Sequence, residues 1–265
     1  MYLTELLDQG KSYSVITSAL YAIKWMHSVH DFDDPTQSSS IKHLIEAAKR
    51  LRSNPVQKKD VINSDMLQTL CSFYSDTNDV VTLRDISMIL LGYAGFLRFN
   101  ELSALCCSDI VFNTDHLVIN IRKSKTDVYR EGRQVPVAKG TSKACPYSML
   151  HKYMKQAGLS VSSNDFLFRP CFRSKGVTAV IKTNKKLCYT RVRECIVSKL
   201  KLVAPNLNLG THSLRASGAT AAANAEGVSD RCLKRHGRWK TDLAKDGYIV
   251  DSLDSRLMIT KKLKL

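Results

Sequence analysis

The chain has 265 residues and carries 40 lysines and arginines against 24 aspartates and glutamates, a formal charge of +16. This basic excess predicts a polyanionic partner, either nucleic acid or an anionic membrane surface. The longest apolar stretch, 87–97, is too short to cross a bilayer, which takes about 20 residues. With no C-x-x-C pair and no glycine-rich phosphate loop in the sequence, a zinc finger and a P-loop enzyme are also disfavoured.

The N-terminus and the cysteines bear on the cellular compartment. The first ten residues, MYLTELLDQG, carry acids where a secretory signal carries bases, so we expect no secretion by that route. The eight cysteines are scattered, which favours free thiols in a reducing, intracellular compartment.

The charge is distributed unevenly along the chain. Residues 1–57 hold six basic and six acidic residues, whereas 58–265 hold 34 basic and 18 acidic residues and therefore the whole excess. This step predicts two modules. A charged stretch without periodicity at 53–60 is the expected linker between them.

The first module is predicted to be helical. Apolar residues recur about once per helical turn over 13–28. The polar segment 31–40 reads as a loop. A second amphipathic helix over 41–51 is expected to be capped by Ser40.

The second module begins with helices and then changes pattern. Ser64 is expected to start one helix and Asp79 to cap a longer one, which becomes apolar almost all round and is therefore the expected buried central helix. Three short β-branched runs follow, with a turn at 113–115 between the first two. We expect these runs to form a small antiparallel sheet over 109–113, 116–122 and 133–137.

Helical patterns return after the sheet. They cover 146–158, 190–202 and 211–227, with Thr190 and Thr211 as expected caps and Gly227 as the expected stop of the last one. The predicted fold class is therefore α+β, mainly α with a small antiparallel β-sheet.

Two pairs of residues could bind an oxyanion. His212 and Arg215 lie three residues apart in the first turn of a predicted helix, where free N–H groups favour an anion. Arg98 follows the most apolar helix of the chain and must be paired or functional. Its expected partner is Glu101, which either forms a plain ion pair or orients Arg98 towards a ligand.

Other candidates lie in the second strand connection and near the C-terminus. Lys123 and Lys125 lie in the loop between the second and third strands, from which a side chain could enter a groove. Trp239 and Tyr248 are nine residues apart, which places them on opposite faces of an unbroken helix. If both serve one site, the chain must break between them, and Gly247 is available for that break.

In this order the motifs resemble those of the tyrosine recombinase, or phage integrase, family. Residues 95–102, GFLRFNEL, resemble the first arginine box, and 124–126, SKT, resembles the hairpin loop that carries the family's lysine. Residues 212–215, HSLR, match the H-x-x-R box. Trp239 stands where the family has a His or Trp, and Tyr248 stands at the position of the nucleophile. The GRW form and the SKTDxxREG loop most resemble eukaryotic mobile elements of the Crypton or DIRS kind.

The resemblance covers 58–265 closely, and 1–57 resembles the later part of the helical core-binding domain. It implies a tyrosine recombinase catalytic domain over 58–265, preceded by a partial, SAM-like core-binding domain over 1–57. It also implies a DNA recombinase or integrase that needs no metal or cofactor. The implied partners are double-stranded DNA and further copies of the chain, as a dimer or tetramer on DNA. The implied compartment in a eukaryote is the nucleus.

The resemblance also implies a role for each site residue. Tyr248 would attack a phosphodiester and form a 3′-phosphotyrosine, while Arg98 and Arg215 would stabilise the growing charge. Lys125 would protonate the leaving 5′-oxygen. His212 would hydrogen-bond the phosphate and help to take the tyrosine proton. Trp239 can only donate its indole N–H or pack.

One departure and three rival functions remain open at this point. Arg238 separates Gly237 from Trp239, whereas the family usually has the two motif residues adjacent. His236 competes with Trp239, but it precedes Tyr248 by twelve residues and fits the spacing less well. The rivals are an inactive, domesticated DNA-binding protein, a type IB topoisomerase and a simple basic nucleic-acid module.

Overall fold

The computed structural model describes residues 1–53, 57–124, 127, 129, 131–174 and 177–263. The chain divides into two compact units, 1–58 and 59–265. Throughout the described residues, no helix combines the length and apolar character needed to cross a membrane.

The first unit consists of three helices around a small apolar core. Leu3, Leu6, Ile16 and Ala48 are buried together at its centre. The first of the helices was not predicted, and the third is capped by Ser38 rather than Ser40 because the helix begins two residues earlier than expected. The helices are α1 (Tyr2–Asp8), α2 (Tyr13–Val29) and α3 (Ser39–Arg52).

The second unit holds nine α-helices within its described residues. The early ones are α4 (Ser64–Phe73), α5 (Val80–Ala94), α6 (Phe99–Ser103) and α7 (Pro146–Gln156). The later ones are α8 (Tyr189–Leu200), α9 (Thr211–Ala223), α10 (Asp230–His236), α11 (Asp242–Asp246) and α12 (Leu253–Lys262).

The predicted three-stranded sheet is present. β1 (Ile110–Phe112), β2 (His116–Ile121) and β3 (Arg133–Ala138) pair antiparallel in the order β1-β2-β3. A second antiparallel pair, β4 (Cys171–Ser174) and β5 (Val177–Val180), was not predicted. The fold class, α+β with mainly helices, is confirmed.

Helix α5 is the buried central helix, as its composition predicts. The Asp79 carboxylate caps it by accepting from the Thr82 N–H at 3.0 Å. Almost every residue from Val80 to Gly92 is buried, and the helix packs against α7, α8 and α9. Its C-terminal end therefore has a fixed position, and Arg98 follows four residues later.

A glycine lets α9 approach the end of α5 closely. A Cβ atom on Gly218 would lie 2.1 Å from the Tyr93 carbonyl oxygen and 2.7 Å from the Phe96 ring. We expect Gly218→Ala to lower the free energy of unfolding by about 2–3 kcal/mol, the usual cost of overpacking a rigid core. Urea unfolding measures the loss. Gly140→Ala is the control, since a Cβ at Gly140 meets no described atom within 4 Å; equal losses in the two variants would contradict this account.

The predicted helix caps were less accurate than the helices. Cys188 rather than Thr190 occupies the N-cap position of α8, and Gly210 rather than Thr211 occupies that of α9. Thr211 already lies inside the helix and is buried. The C-cap residue of α9 is Asn224, three residues before the predicted stop at Gly227.

Candidate active site

Arg98 lies at a sharp corner between α5 and α6. Helix α5 ends at Ala94, Phe96 follows in the left-handed backbone region at φ +48°, and Arg98 is the N-cap residue of α6. The Glu101 carboxylate accepts from the Arg98 backbone N–H at 2.9 Å and from its Nη1 at 2.8 Å. The expected ion pair is therefore present, and it fixes the Arg98 side chain. The other N–H groups of the guanidinium donate to no acceptor among the described residues.

Arg215 lies on α9 with no exposed surface. Its Nη1 donates to the Phe96 carbonyl and its Nη2 to the Gly237 carbonyl. The guanidinium carbon lies 4.6 Å from the centroid of the Trp239 ring and 5.0 Å from that of the Tyr248 ring. These contacts bring Arg215 and the two aromatic candidates into one cluster.

The chain breaks between Trp239 and Tyr248, as their spacing requires. Helix α10 ends at His236, the short helix α11 follows, and Gly247 caps the end of α11. The two rings therefore come within 5.7 Å of each other, tilted by 44°. The Trp239 ring also covers Gly237, where a Cβ would lie only 1.8 Å from it, so this position requires glycine.

Two side chains of α9 hold the segment that carries Tyr248. The Thr220 hydroxyl donates to the Tyr248 carbonyl at 3.3 Å and accepts from the Val250 N–H at 3.1 Å. The Asn224 side chain donates to the Val250 carbonyl at 3.0 Å and accepts from the Ser252 N–H at 3.3 Å. Tyr248 and Arg215 are thus anchored to the same helix of the same chain.

The centre of the site has more positive charge than its one buried carboxylate can neutralise. Arg98, Arg215 and Arg238 surround Glu101. Burial alone would raise the pKa of the Glu101 carboxyl. The Arg238 and Arg98 charges and hydrogen bonds from Arg98 outweigh that effect and hold the pKa below its usual range. Burial and the neighbouring Arg98 and Arg238 charges lower the pKa of Arg215 to about 9. The four groups together carry a surplus of two positive charges, which favours binding of an anion.

Three buried N–H donors of the site lack a hydrogen-bond acceptor among the described residues. They are the Nε of Arg215, the Nε of Arg238 and the indole Nε1 of Trp239. A buried donor without an acceptor costs free energy, about 1–3 kcal/mol in proteins. Such donors next to a charge surplus are the chemistry of an oxyanion site.

The two histidines have different environments. His212 is exposed in the first turn of α9 and has no hydrogen bond or ring contact within the described part of the chain. His236 lies against the Phe96 ring at 4.6 Å, and its Nε2 is 2.7 Å from the Ala94 carbonyl. Burial and the nearby Arg238 and Arg215 charges lower the pKa of His236, so a neutral ring that donates to Ala94 fits this position. His236 is therefore held by packing and by Ala94, whereas the His212 side chain is exposed.

The connection between β2 and β3 borders the site. Lys125 lies outside the described residues; Lys123 is described and exposed. Ser124, Tyr129 and Glu131 of this connection line a cavity of about 560 Å³ that Trp239 also lines. The remaining lining residues are mainly basic and include Arg133, Lys234, Arg235, Arg238 and Lys240.

Arg238 is the site residue that sequence reasoning missed. In the sequence, Arg238 only separates Gly237 from Trp239. In the structure its side chain is buried, and its Nη2 donates to the Glu101 carboxylate at 2.9 Å. The signal that could have identified it is an arginine directly before a buried tryptophan, at the end of a short helix.

Comparisons with known proteins agree with the fold. The model of the phage integrase family matches residues 60–244, a stretch that contains Arg98, Arg215 and Trp239 and ends four residues before Tyr248. An integrase/recombinase xerD homologue of Selenomonas ruminantium is 24% identical over 253 residues, which cover 94% of this chain and 71% of that protein.

Solved structures have the same architecture. The XerH site-specific recombinase, in a post-cleavage complex with palindromic difH substrate, superposes with a TM-score of 0.66 at 16% identity and covers 99% of this chain and 69% of its own. The Tn1549 transposon integrase, in complex with circular intermediate DNA, gives a TM-score of 0.59 at 15% identity over 99% of this chain and 84% of its own.

Proposed function

The chain belongs to the phage integrase family, and from this premise we propose that it is a site-specific DNA recombinase. It cleaves one DNA strand through a 3′-phosphotyrosine at Tyr248 and rejoins that phosphate to another 5′-hydroxyl. The observation that carries the proposal is the position of the Tyr248 ring, 5.0 Å from the buried guanidinium of Arg215 in the same chain. A potential nucleophile thus lies beside a preformed oxyanion site.

The residues divide the chemistry between them. The Tyr248 hydroxyl attacks the phosphorus, the bond to the 5′-oxygen breaks, and the tyrosine proton leaves towards His212. Arg98 and Arg215 donate to the non-bridging oxygens, where negative charge grows in the transition state. Trp239 donates its indole N–H to the phosphate. The phosphotyrosine bond retains the energy of the broken one, so a second 5′-hydroxyl can reverse the step.

Lys125 is proposed as the general acid that protonates the leaving 5′-oxygen. The support is the resemblance of residues 124–126 to the family loop, together with the position of Ser124 and Tyr129 in the cavity that Trp239 also lines. Lys123 lies in the same loop, two residues after the end of β2, and is proposed only to contact the DNA backbone.

We expect Lys125→Ala to cleave an ordinary phosphodiester slowly, by about 10²-fold or more, and to regain most of its rate on a 5′-bridging phosphorothiolate. The reason is that a thiolate leaves without protonation. Single-turnover cleavage of the two linkages is the measurement. Lys123→Ala is the matched control and should show a modest, salt-sensitive loss of binding without such rescue. Rescue in Lys123→Ala alone would reverse the assignment, and rescue in neither would remove the general acid from this loop.

The proposed partners follow from the same chemistry. Double-stranded DNA is the substrate, the +16 charge supplies its phosphate contacts, and copies of the chain assemble on DNA as a dimer or tetramer. Residues 1–57 are proposed as part of a helical core-binding domain and 58–265 as the catalytic domain. DNA as substrate and eight free thiols fit a reducing compartment, which in a eukaryote is the nucleus. A close relation to Crypton or DIRS elements stays a prediction.

Cleavage should occur in cis, with each chain using its own tyrosine. Thr220 and Asn224 hold the Tyr248 segment on the helix that carries Arg215. We therefore expect a mixture of Arg215→Ala and Tyr248→Phe protomers to remain inactive, because no single protomer has both groups. Covalent adduct from the mixture, well above the sum of the two variants alone, would demonstrate attack in trans instead.

The function is tested by covalent capture of DNA. The purified chain is incubated with a pool of nicked duplexes whose central segment is randomised, so that the short strand diffuses away after cleavage and traps the adduct. We expect a protein–DNA species that survives denaturation and enriches one sequence on repeated selection. Absence of any denaturation-resistant species over a range of salt concentrations would contradict the proposal.

A further inference from the structure

Arg238 occupies a backbone position that normally takes glycine. It follows the C-cap residue of α10 at φ +55°, and its N–H donates to the Arg235 carbonyl at 3.0 Å. The next N–H, of Trp239, donates to the Lys234 carbonyl at 3.1 Å. This pair of hydrogen bonds is the Schellman motif, whose left-handed residue is usually glycine because a side chain is strained there.

The Arg238 side chain uses this turn to reach the end of a different helix. Its Nη1 donates to the Gly95 carbonyl at 3.1 Å and to the His236 carbonyl at 2.7 Å. Its Nη2 donates to the Phe96 carbonyl at 2.8 Å and to the Glu101 carboxylate at 2.9 Å. Both nitrogens thus donate to protein acceptors, and the side chain is only 3% exposed. Arg238 therefore ties the ends of α5 and α10 together.

Arg238 shares an acceptor with each of the two proposed phosphate-binding arginines. The Phe96 carbonyl accepts from both Arg238 and Arg215. The Glu101 carboxylate accepts from both Arg238 and Arg98. A shift of either acceptor would therefore move a guanidinium that the reaction needs.

We infer that Arg238 is a positioning residue: by fixing the Phe96 carbonyl and Glu101, it sets the geometry with which Arg215 and Arg98 hold the scissile phosphate. The inference rests on the proposed function and assigns a role to the one residue by which the last motif departs from the family pattern. Arg238 acts through its neighbours because both of its terminal nitrogens donate to protein acceptors, and only its buried Nε lacks an acceptor among the described residues.

The test compares two buried arginines. Arg238→Met removes the guanidinium group, and Arg169→Met is the control. Arg169 is similarly buried and is paired with Asp165 at 3.3 Å. No hydrogen bond of the described residues joins Arg169 to Arg98, Glu101 or Arg215. The substrate is the duplex enriched by covalent capture with the wild-type chain, at saturating protein. The reaction amplitude reports the folded fraction, and the rate constant reports the geometry of the site.

We expect Arg238→Met to lower the single-turnover rate constant by about 10²-fold, the scale for a misplaced transition-state donor, with DNA affinity within about threefold of wild type. On a duplex with a methylphosphonate at the scissile position the loss should shrink to less than about tenfold, because one charged oxygen that the arginines neutralise is gone. Arg169→Met should keep the wild-type rate constant on both linkages. In an Arg98→Ala background, Arg238→Met should lower the single-turnover rate constant by a much smaller factor than it does in the wild-type chain.

Two results would overturn the inference. One is an Arg238→Met rate constant within threefold of wild type, and the other is an equal loss on both linkages, which is the result for a purely structural residue. If Arg238→Met does not unfold cooperatively, Arg238→Lys takes its place, with an expected loss of about tenfold and the same methylphosphonate recovery. A wild-type chain that captures no duplex would contradict the proposed function, whereas wild-type capture with an unaffected Arg238→Met contradicts only the present inference.

Discussion

Replacing Tyr248 by phenylalanine is expected to abolish covalent attachment to DNA, a loss of about 10⁴-fold or more, as for removal of an enzymatic nucleophile. Only the hydroxyl is removed, so the ring keeps its contacts with Trp239 at 5.7 Å and Arg215 at 5.0 Å. The fold and DNA binding should therefore remain. Denaturing gels of the trapped reaction measure the adduct, and a gel-shift titration measures binding.

Two other tyrosines provide controls for that result. Tyr189 is exposed and packs edge-on against Phe99 at 5.1 Å, and the Tyr147 hydroxyl donates to the Asn113 carbonyl at 2.9 Å. Tyr189→Phe and Tyr147→Phe should both form the adduct. If the adduct persists in Tyr248→Phe and disappears in either control, the nucleophile is the control residue.

Replacing Arg215 by alanine should slow cleavage by about 10²–10³-fold, the loss seen when one transition-state donor is removed. Arg215→Lys should recover little, since an ammonium cannot reach the Phe96 carbonyl, the Gly237 carbonyl and a phosphate together. Arg98→Ala should lower the cleavage rate by about 10²-fold or more. Near-normal single-turnover cleavage by Arg215→Lys would contradict a forked contact with the phosphate.

The stability of the Arg215 variants separates chemistry from folding. Arg215 is fully buried beneath Trp239, so Arg215→Ala also leaves a cavity and should lower the unfolding midpoint in urea. The rate constant, measured on the fraction that reacts, is independent of that loss. If the rate constant of the reacting fraction equals that of wild type, Arg215 is structural only.

The elements that could be predicted from sequence are those with strong local signals. Helix α5 is apolar almost all round and begins at a capping aspartate, and the three strands of the first sheet are β-branched runs, so burial and pairing follow from composition. The pair β4 and β5 could not be predicted in this way, because the β4 sequence, CFRS, has no β-branched residue and no alternation, and most of its residues are exposed. The caps predicted at Thr190 and Thr211 were wrong because a threonine at the first or second position of a helix resembles a capping residue in sequence.

The candidate site residues that could be named from the sequence are those that lie in motifs resembling the family's. The break between Trp239 and Tyr248 followed from helical geometry, and the Arg98–Glu101 pair followed from the cost of an unpaired charge. Arg238 could not be assigned, because its acceptors are backbone carbonyls of Gly95 and Phe96 about 140 residues away in the chain. The hydrogen bonds of the Thr220 and Asn224 side chains with the backbone of residues 248–252 also join residues far apart in the chain.

The most direct test of the account is to identify the amino acid that carries the trapped DNA. The adduct is digested with nuclease and trypsin, and the modified peptide is sequenced by mass spectrometry. Cleavage after Lys245 and Arg256 gives a peptide, 246–256, whose only tyrosine is Tyr248. The account predicts a 3′-linked nucleotide on Tyr248 and a free 5′-hydroxyl on the released strand. Attachment to another residue, or a linkage through the 5′-phosphate, would contradict it.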